Sequence, residues 1–179
     1  MGILLTILGI IAGIIVLLLV IALFTKKKYS IVREITINRP VQQVFDYIRL
    51  LKNQDHYSVW NRLDPAMKKT YTGTDGTAGF MYAWDSTNKQ AGKGEQTITA
   101  VTAPERVNMD LHFIKPFEGR ASSYIATLPA AQGQTTVRWG IDSKMNYPMN
   151  IMLLFMNMEN MLGKDLEGGL ANLKNIMEH

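Results

Sequence analysis

PMNIMLLFMNMENMLGKDLEGGLANLKNIM (148–177) decides the reading of this chain. Met152, Phe155, Met158, Leu162, Leu166, Leu170, Leu173 and Met177 recur at steps of three or four, which places them on one face of a helix. Pro148 suits a first helical position, where its missing N–H has no intrahelical partner to lose. A helix over the whole stretch would be about 45 Å long. One apolar stripe of that length needs a sheet to lie on.

The preceding residues supply it. Tyr29–Asn38 (YSIVREITIN) alternates and is rich in β-branched side chains, so it reads as a first strand. Asn38-Arg39-Pro40 reads as a helix start, with Pro40 at the first position. Val41, Val44, Phe45 and Ile48 then give a short amphipathic helix ending near Leu51. Asn53–Leu63 reads as short helical turns with Tyr57 and Trp60 turned inward. Six further strands are expected at 67–73, 79–85, 95–102, 106–114, 120–128 and 135–145. Their connections are short and no helix intervenes, so antiparallel meander pairing is the economical topology. The expected fold is α+β, a curved sheet of about seven strands wrapped around a long C-terminal helix. Such a sheet curls strongly, and gaps beneath the helix are where apolar ligands bind.

The N-terminus is of another kind. Gly2–Phe24 contains no charged residue, and Ile3–Phe24 as a helix is about 33 Å long, enough to cross a hydrocarbon core of about 30 Å. No Lys or Arg precedes the run, it is longer than a signal-peptide core, and Leu23-Phe24-Thr25-Lys26 is a poor cleavage context. A retained membrane helix is therefore expected. Residues 1–28 form the anchor and its basic flank, and residues 29–179 form one domain. Lys26–Lys28 follow the run, so the positive-inside rule places the domain on the cytoplasmic side of the cell membrane as a single-pass protein. Gly9 and Gly13 form a G-x-x-x-G pair through which the anchor could self-associate as a weak homodimer.

Composition narrows the function classes. The formal net charge is +4, and the lysine triplet holds three of those charges, so the remainder is near neutral. A nucleic-acid partner would need a concentrated basic face. With no cysteine there is no thiolate chemistry, and the three histidines, His56, His112 and His179, are not spaced as metal ligands. The sequence implies no cofactor. It holds no Gly-x-Ser-x-Gly and no phosphate-binding loop, and Gly73–Gly79 reads as a hairpin turn.

Candidate site residues follow from strand alternation. Tyr82 and Trp84 share a face with Phe80, and Trp139 shares one with Val137 and Ile141; their polar tips can orient a ligand. Trp60 is a candidate from the 53–63 turns, where it is expected to point inward. Tyr124 is a candidate on the sixth strand. Glu95 shares a face with Thr97, Thr99 and Val101, a mixed set compatible with a polar spot in a pocket. Asp110 and His112 lie opposite the better core residues Val107, Met109, Leu111 and Phe113, and so on the solvated face. Met152 and Met156 represent the Met-rich half of the C-terminal helix, whose flexible thioethers suit an adaptable ligand surface. That half is apolar nearly all round, more than one buried stripe requires. Gly163, Gly168 and Gly169 either allow close approach to the sheet or mark a kink.

Several stretches carry a resemblance: REITINRPVQQVFDYI (33–48), HYSVWNRLDPAM (56–67), MYAWD (81–85), GKGEQTIT (92–99), HFIKPFEG (112–119) and YPMNIMLLFMNMENMLGKDLEGGLANLK (147–174). Together with the order of elements they resemble the START-like, polyketide cyclase-like (SRPBCC) superfamily in its membrane-anchored bacterial form. The family's aromatic loop carries a Trp-Ser-Pro-Trp run, where this chain has Tyr57-Ser58-Val59-Trp60. The resemblance implies a helix-grip fold and binding of a lipid-like or other hydrophobic small molecule between sheet and helix. It also leaves open a polyketide cyclase/dehydratase-like enzyme, for which Glu95, Tyr82 and Tyr124 would be the groups to inspect, and a protein-interaction module of co-chaperone type.

Overall fold

A computed structural model describes residues 2–179. Helix α1 (Gly2–Phe24) is almost wholly exposed along its length and is long and apolar enough to cross a membrane. Strand β1 (Lys28–Ile37) follows, then helix α2 (Val41–Ile48), a 3-10 turn at Leu51–Asn53, and two single-turn helices, α3 (Gln54–Tyr57) and α4 (Val59–Arg62). Strands β2 (Lys68–Thr72), β3 (Met81–Asp85), β4 (Lys93–Thr102), β5 (Arg106–Lys115), β6 (Gly119–Pro129) and β7 (Thr135–Lys144) form an uninterrupted meander.

The seven strands make one antiparallel sheet in the order β1-β7-β6-β5-β4-β3-β2. The first strand closes onto the last, with Lys28 opposite Lys144 and Ile37 opposite Thr135. Side chains alternate along each strand, and the inward set includes Ile31, Ile98, Val107, Met109, Ile125 and Val137. Against this concave face lie α2 and helix α5 (Met158–Glu178), whose buried stripe is Leu166, Leu170, Leu173 and Met177. This is the expected helix-grip architecture.

Two expectations need correction. Pro40 lies one residue outside α2, in extended conformation, and the helix begins at Val41. More consequentially, 148–177 is not one helix. Met149–Leu154 forms a 3-10 turn, the chain breaks at Phe155–Asn157, and α5 starts at Met158. Asn157 explains the break: its side chain accepts the backbone N–H of Asn160, capping an end that would otherwise leave donors unpaired. At 21 residues α5 is about 32 Å long. Met152 and Phe155 therefore leave the buried stripe, and Phe155 is 75% exposed.

Arg33 fastens the start of α5 to the sheet. Its guanidinium donates to Glu159 at 2.6 Å and to Glu167 at 2.5 Å. These two carboxylates raise the Arg33 pKa above its ordinary value, the Glu159 hydrogen bond being the larger cause.

Candidate functional site: a cavity beneath the start of the C-terminal helix

The sheet, α3–α4 and the first turns of α5 enclose a cavity of about 310 Å³. Small residues on β6 create the space, since Ala121 and Ser123 face inward where larger side chains would fill it. From α5 only Met158 and Leu162 reach it, and the rest of the helix stripe is solid core.

Trp60, Tyr82, Trp84 and Trp139 all line this cavity. Trp139 meets Trp60 edge to face, with centroids 6.1 Å apart, and Tyr82 stacks on Trp84 at 5.6 Å. The polar tips of Tyr82, Trp84 and Trp139 each have a partner. The Trp139 indole N–H donates to Ser123 Oγ at 3.3 Å, and the Ser123 hydroxyl donates to the Gly140 carbonyl at 2.9 Å. The Trp84 N–H donates to the Ala91 carbonyl at 2.9 Å. Trp84 crosses β4 at Gly94, where a Cβ would sit 2.6 Å from its ring.

Glu95, Tyr124, Met152 and Met156 are not part of the lining. On β4 it is Gly94, Gln96 and Ile98 that face inward. Glu95 points to the opposite, convex face and lies 3.1 Å from His112 Nδ1. Tyr124 is on the convex face too, packed over Gly140 and beneath the Arg106 guanidinium, 3.7 Å from its ring centroid. Met152 lies in the 3-10 turn and Met156 in the break that follows it, both before the start of α5.

The lining also contains polar residues that alternation between apolar and polar did not single out: Gln54, Ser58, Asn61, Gln96 and Ser123. Gln54 and Gln96 are buried and direct their amide N–H groups at the Met109 sulfur. Asn61 links the cavity to a polar cluster behind it. Its amide reaches the Tyr82 hydroxyl at 3.5 Å and Asp55 at 2.9 Å, and Asp55 also pairs with Lys69 and accepts from the Tyr71 hydroxyl. Burial, with the negative charge of Asp55 second, pushes the Tyr82 phenol up and the Tyr71 phenol up to about 12. Tyr82 therefore stays a neutral donor at ordinary pH. Among the described residues, the lining includes no carboxylate and no imidazole.

The exposed part of the lining includes Gln90, Phe113 and Lys115–Phe117. Strand register places it at one end of the sheet: Lys115 pairs with Lys93, Gly119 with Phe113, Ala121 with Ser143, and Lys144 with Lys28. That is the end at which the chain arrives from α1. Phe117, at the tip of the β5–β6 turn, is 80% exposed.

A family model described as polyketide cyclase / dehydrase and lipid transport matches residues 28–178. The chain belongs to this family. Within it the cavity described above occupies the space between sheet and helix that the fold provides. No curated protein matches the chain in sequence. Solved structures similar in fold include a protein from Nitrosospira multiformis, 18% identical, covering 83% of this chain and 96% of its own, with a TM-score of 0.58. Norcoclaurine synthase from Thalictrum flavum is 12% identical, with 88% and 91% covered and a TM-score of 0.62. The di-domain ARO/CYC BexL from the BE-7585A biosynthetic pathway is 12% identical, with 85% and 50% covered and a TM-score of 0.60. At these identities the likeness concerns the helix-grip fold alone.

Proposed function

We propose that this protein binds a lipid-like or other hydrophobic small molecule in the cavity between sheet and α5, while α1 tethers residues 29–179 to the cytoplasmic face of a membrane. The carrying observation is the lining itself: aromatic and aliphatic walls, a few neutral amides and hydroxyls, Lys115 at the exposed end and, among the described residues, no carboxylate or imidazole. Such a wall can desolvate an apolar body and orient one polar group through Ser123, Asn61 or the Tyr82 hydroxyl. Acid–base catalysis needs a group that exchanges protons near the working pH. Tyr82, held protonated by burial, is poorly suited to that, and Glu95 faces the other way. The membrane part of the reading is supported by the length and apolarity of α1 and by Lys26–Lys28 after it.

Three tryptophans line the cavity, so intrinsic fluorescence reports on its contents. Titration of the full chain in detergent micelles with fatty acids, isoprenoids and aromatic polyketides is expected to give saturable quenching with at least one class. That quenching should fall in Ser123→Leu, which fills the cavity without adding charge. Absence of saturable binding across the panel overturns the proposal.

A further inference from the structure

The chain break that shortens α5 creates a second concavity. Asn150, in the Met149–Leu154 turn, is fully buried and donates through Nδ2 to the carbonyls of Ala22 at 2.7 Å and Thr25 at 3.0 Å. These carbonyls belong to the end of α1, where a helix has no donors of its own left to offer. The joint holds the Met-rich turn level with the last turn of α1. A groove of about 850 Å³ runs between them. Ile21 and Phe24 form one wall and Leu154, Phe155 and Met156 the other, with Lys26, Lys28 and Glu159 at the rim. Leu154 and Phe155 are exposed, an arrangement that costs hydrophobic free energy in water.

Tyr29 and Met158 line both this groove and the cavity. The two spaces thus adjoin at these two residues. Depth also matters. The 23 residues of α1 span about 34 Å, slightly more than a hydrocarbon core of about 30 Å. Ile21 and Phe24 then lie at the edge of the hydrocarbon, and the Asn150 joint brings Leu154 and Phe155 to the same level.

We propose that this groove binds one acyl chain of a membrane phospholipid, its phosphate beside Lys26 and Lys28, and forms the lateral entrance to the cavity past Tyr29 and Met158. It rests on the reading of α1 as a membrane span. Two lysines against one carboxylate at the rim favour an anionic headgroup, and an acyl chain matches the apolar walls. Methionine at 156 and 158 suits a passage that must accommodate a moving chain.

The full chain in nanodiscs containing phosphatidylglycerol with a diazirine at the end of one acyl chain provides the test. After illumination, peptide mass spectrometry is expected to find lipid adducts on Tyr29 or Met158 as well as on Leu154 or Phe155. Met156→Trp, which narrows the groove, should abolish the Tyr29 and Met158 adducts and leave those on α1 before Val20 unchanged. Adducts confined to α1 and Phe155, or adducts at Met158 that survive Met156→Trp, overturn the proposal. Adducts at Met158 in a preparation whose cavity takes up none of the ligand panel would support the groove site and refute the cavity function instead.

Discussion

Gly169 of α5 lies against the indole of Trp139: a Cβ at this glycine would sit 2.8 Å from Trp139 Cζ3. The helix here packs directly on the edge of the Trp139 ring, which lines the cavity. Gly169→Ala gains about 1 kcal/mol of helix propensity. It also drives a methyl group into a buried ring that cannot swing away, a change that costs about 1–3 kcal/mol. The expected result is net destabilisation with a shifted tryptophan emission maximum, read by thermal unfolding and fluorescence. Gly163→Ala offers a contrast. Its methyl would press on the Arg33 guanidinium, which can give way only by loosening its bonds to Glu159 and Glu167, so a partial loss of stability is expected with the tryptophan emission unchanged.

Tyr57 is completely buried, and its hydroxyl has no hydrogen-bond partner among the described residues. Burial drives its pKa far upward. Its ring meets Trp139 edge to face at 5.7 Å, so the aromatic body serves the core while the hydroxyl is a net cost. Tyr57→Phe keeps the ring and removes an unsatisfied polar group. It is expected to leave stability unchanged or raise it by about 1 kcal/mol, measured by urea unfolding.

The legible part of this structure is the part governed by period. Alternation located every strand and placed Tyr82, Trp84 and Trp139 on faces that do meet at the cavity. The α5 stripe from Leu166 to Met177 was equally plain. Glu95 was misplaced because the inward face of β4 reads Gly94, Gln96, Ile98, which is scarcely more apolar than the outward face, and because the register shifts between Ile98 and Ala100. Gln96 is tolerated inside because its amide rests on Met109, a contact between residues 13 apart that no local pattern announces. Tyr124 shares its strand face with Arg120 and Ser122, the convex one, whereas Ala121 and Ser123 carry the signal: small residues facing inward leave the space. The helix break was missed because Met152 and Phe155 keep a helical spacing across it. Asn157 was the available sign, a strong N-cap residue three positions before Asn160.

A pH effect is expected at the junction of α5 and β1. Glu178 accepts the Asn38 backbone N–H at 2.7 Å and pairs with Lys174 at 3.1 Å. The backbone hydrogen bond first, and then the lysine, lower its pKa from the ordinary 4.5. A depressed folded-state pKa means the stabilisation is present above the ordinary carboxylate range and is lost as pH falls through the folded value. Wild type should therefore melt at a higher temperature than Glu178→Gln at pH 7, and the gap should close as acidification protonates Glu178 in the folded protein. A gap that persists in acid would contradict the assignment.

A hydrophobic molecule held under Met158 and Leu162 should travel with the protein through purification. Ala121, buried on β6 and facing that space, is the position from which a larger side chain fills it. The most direct measurement is mass spectrometry of small molecules extracted from the purified full chain and from Ala121→Trp, with circular dichroism confirming that both are folded. A hydrophobic molecule is expected with the wild type and should be depleted from the variant. Equal recovery from both, or none from the wild type, would contradict it.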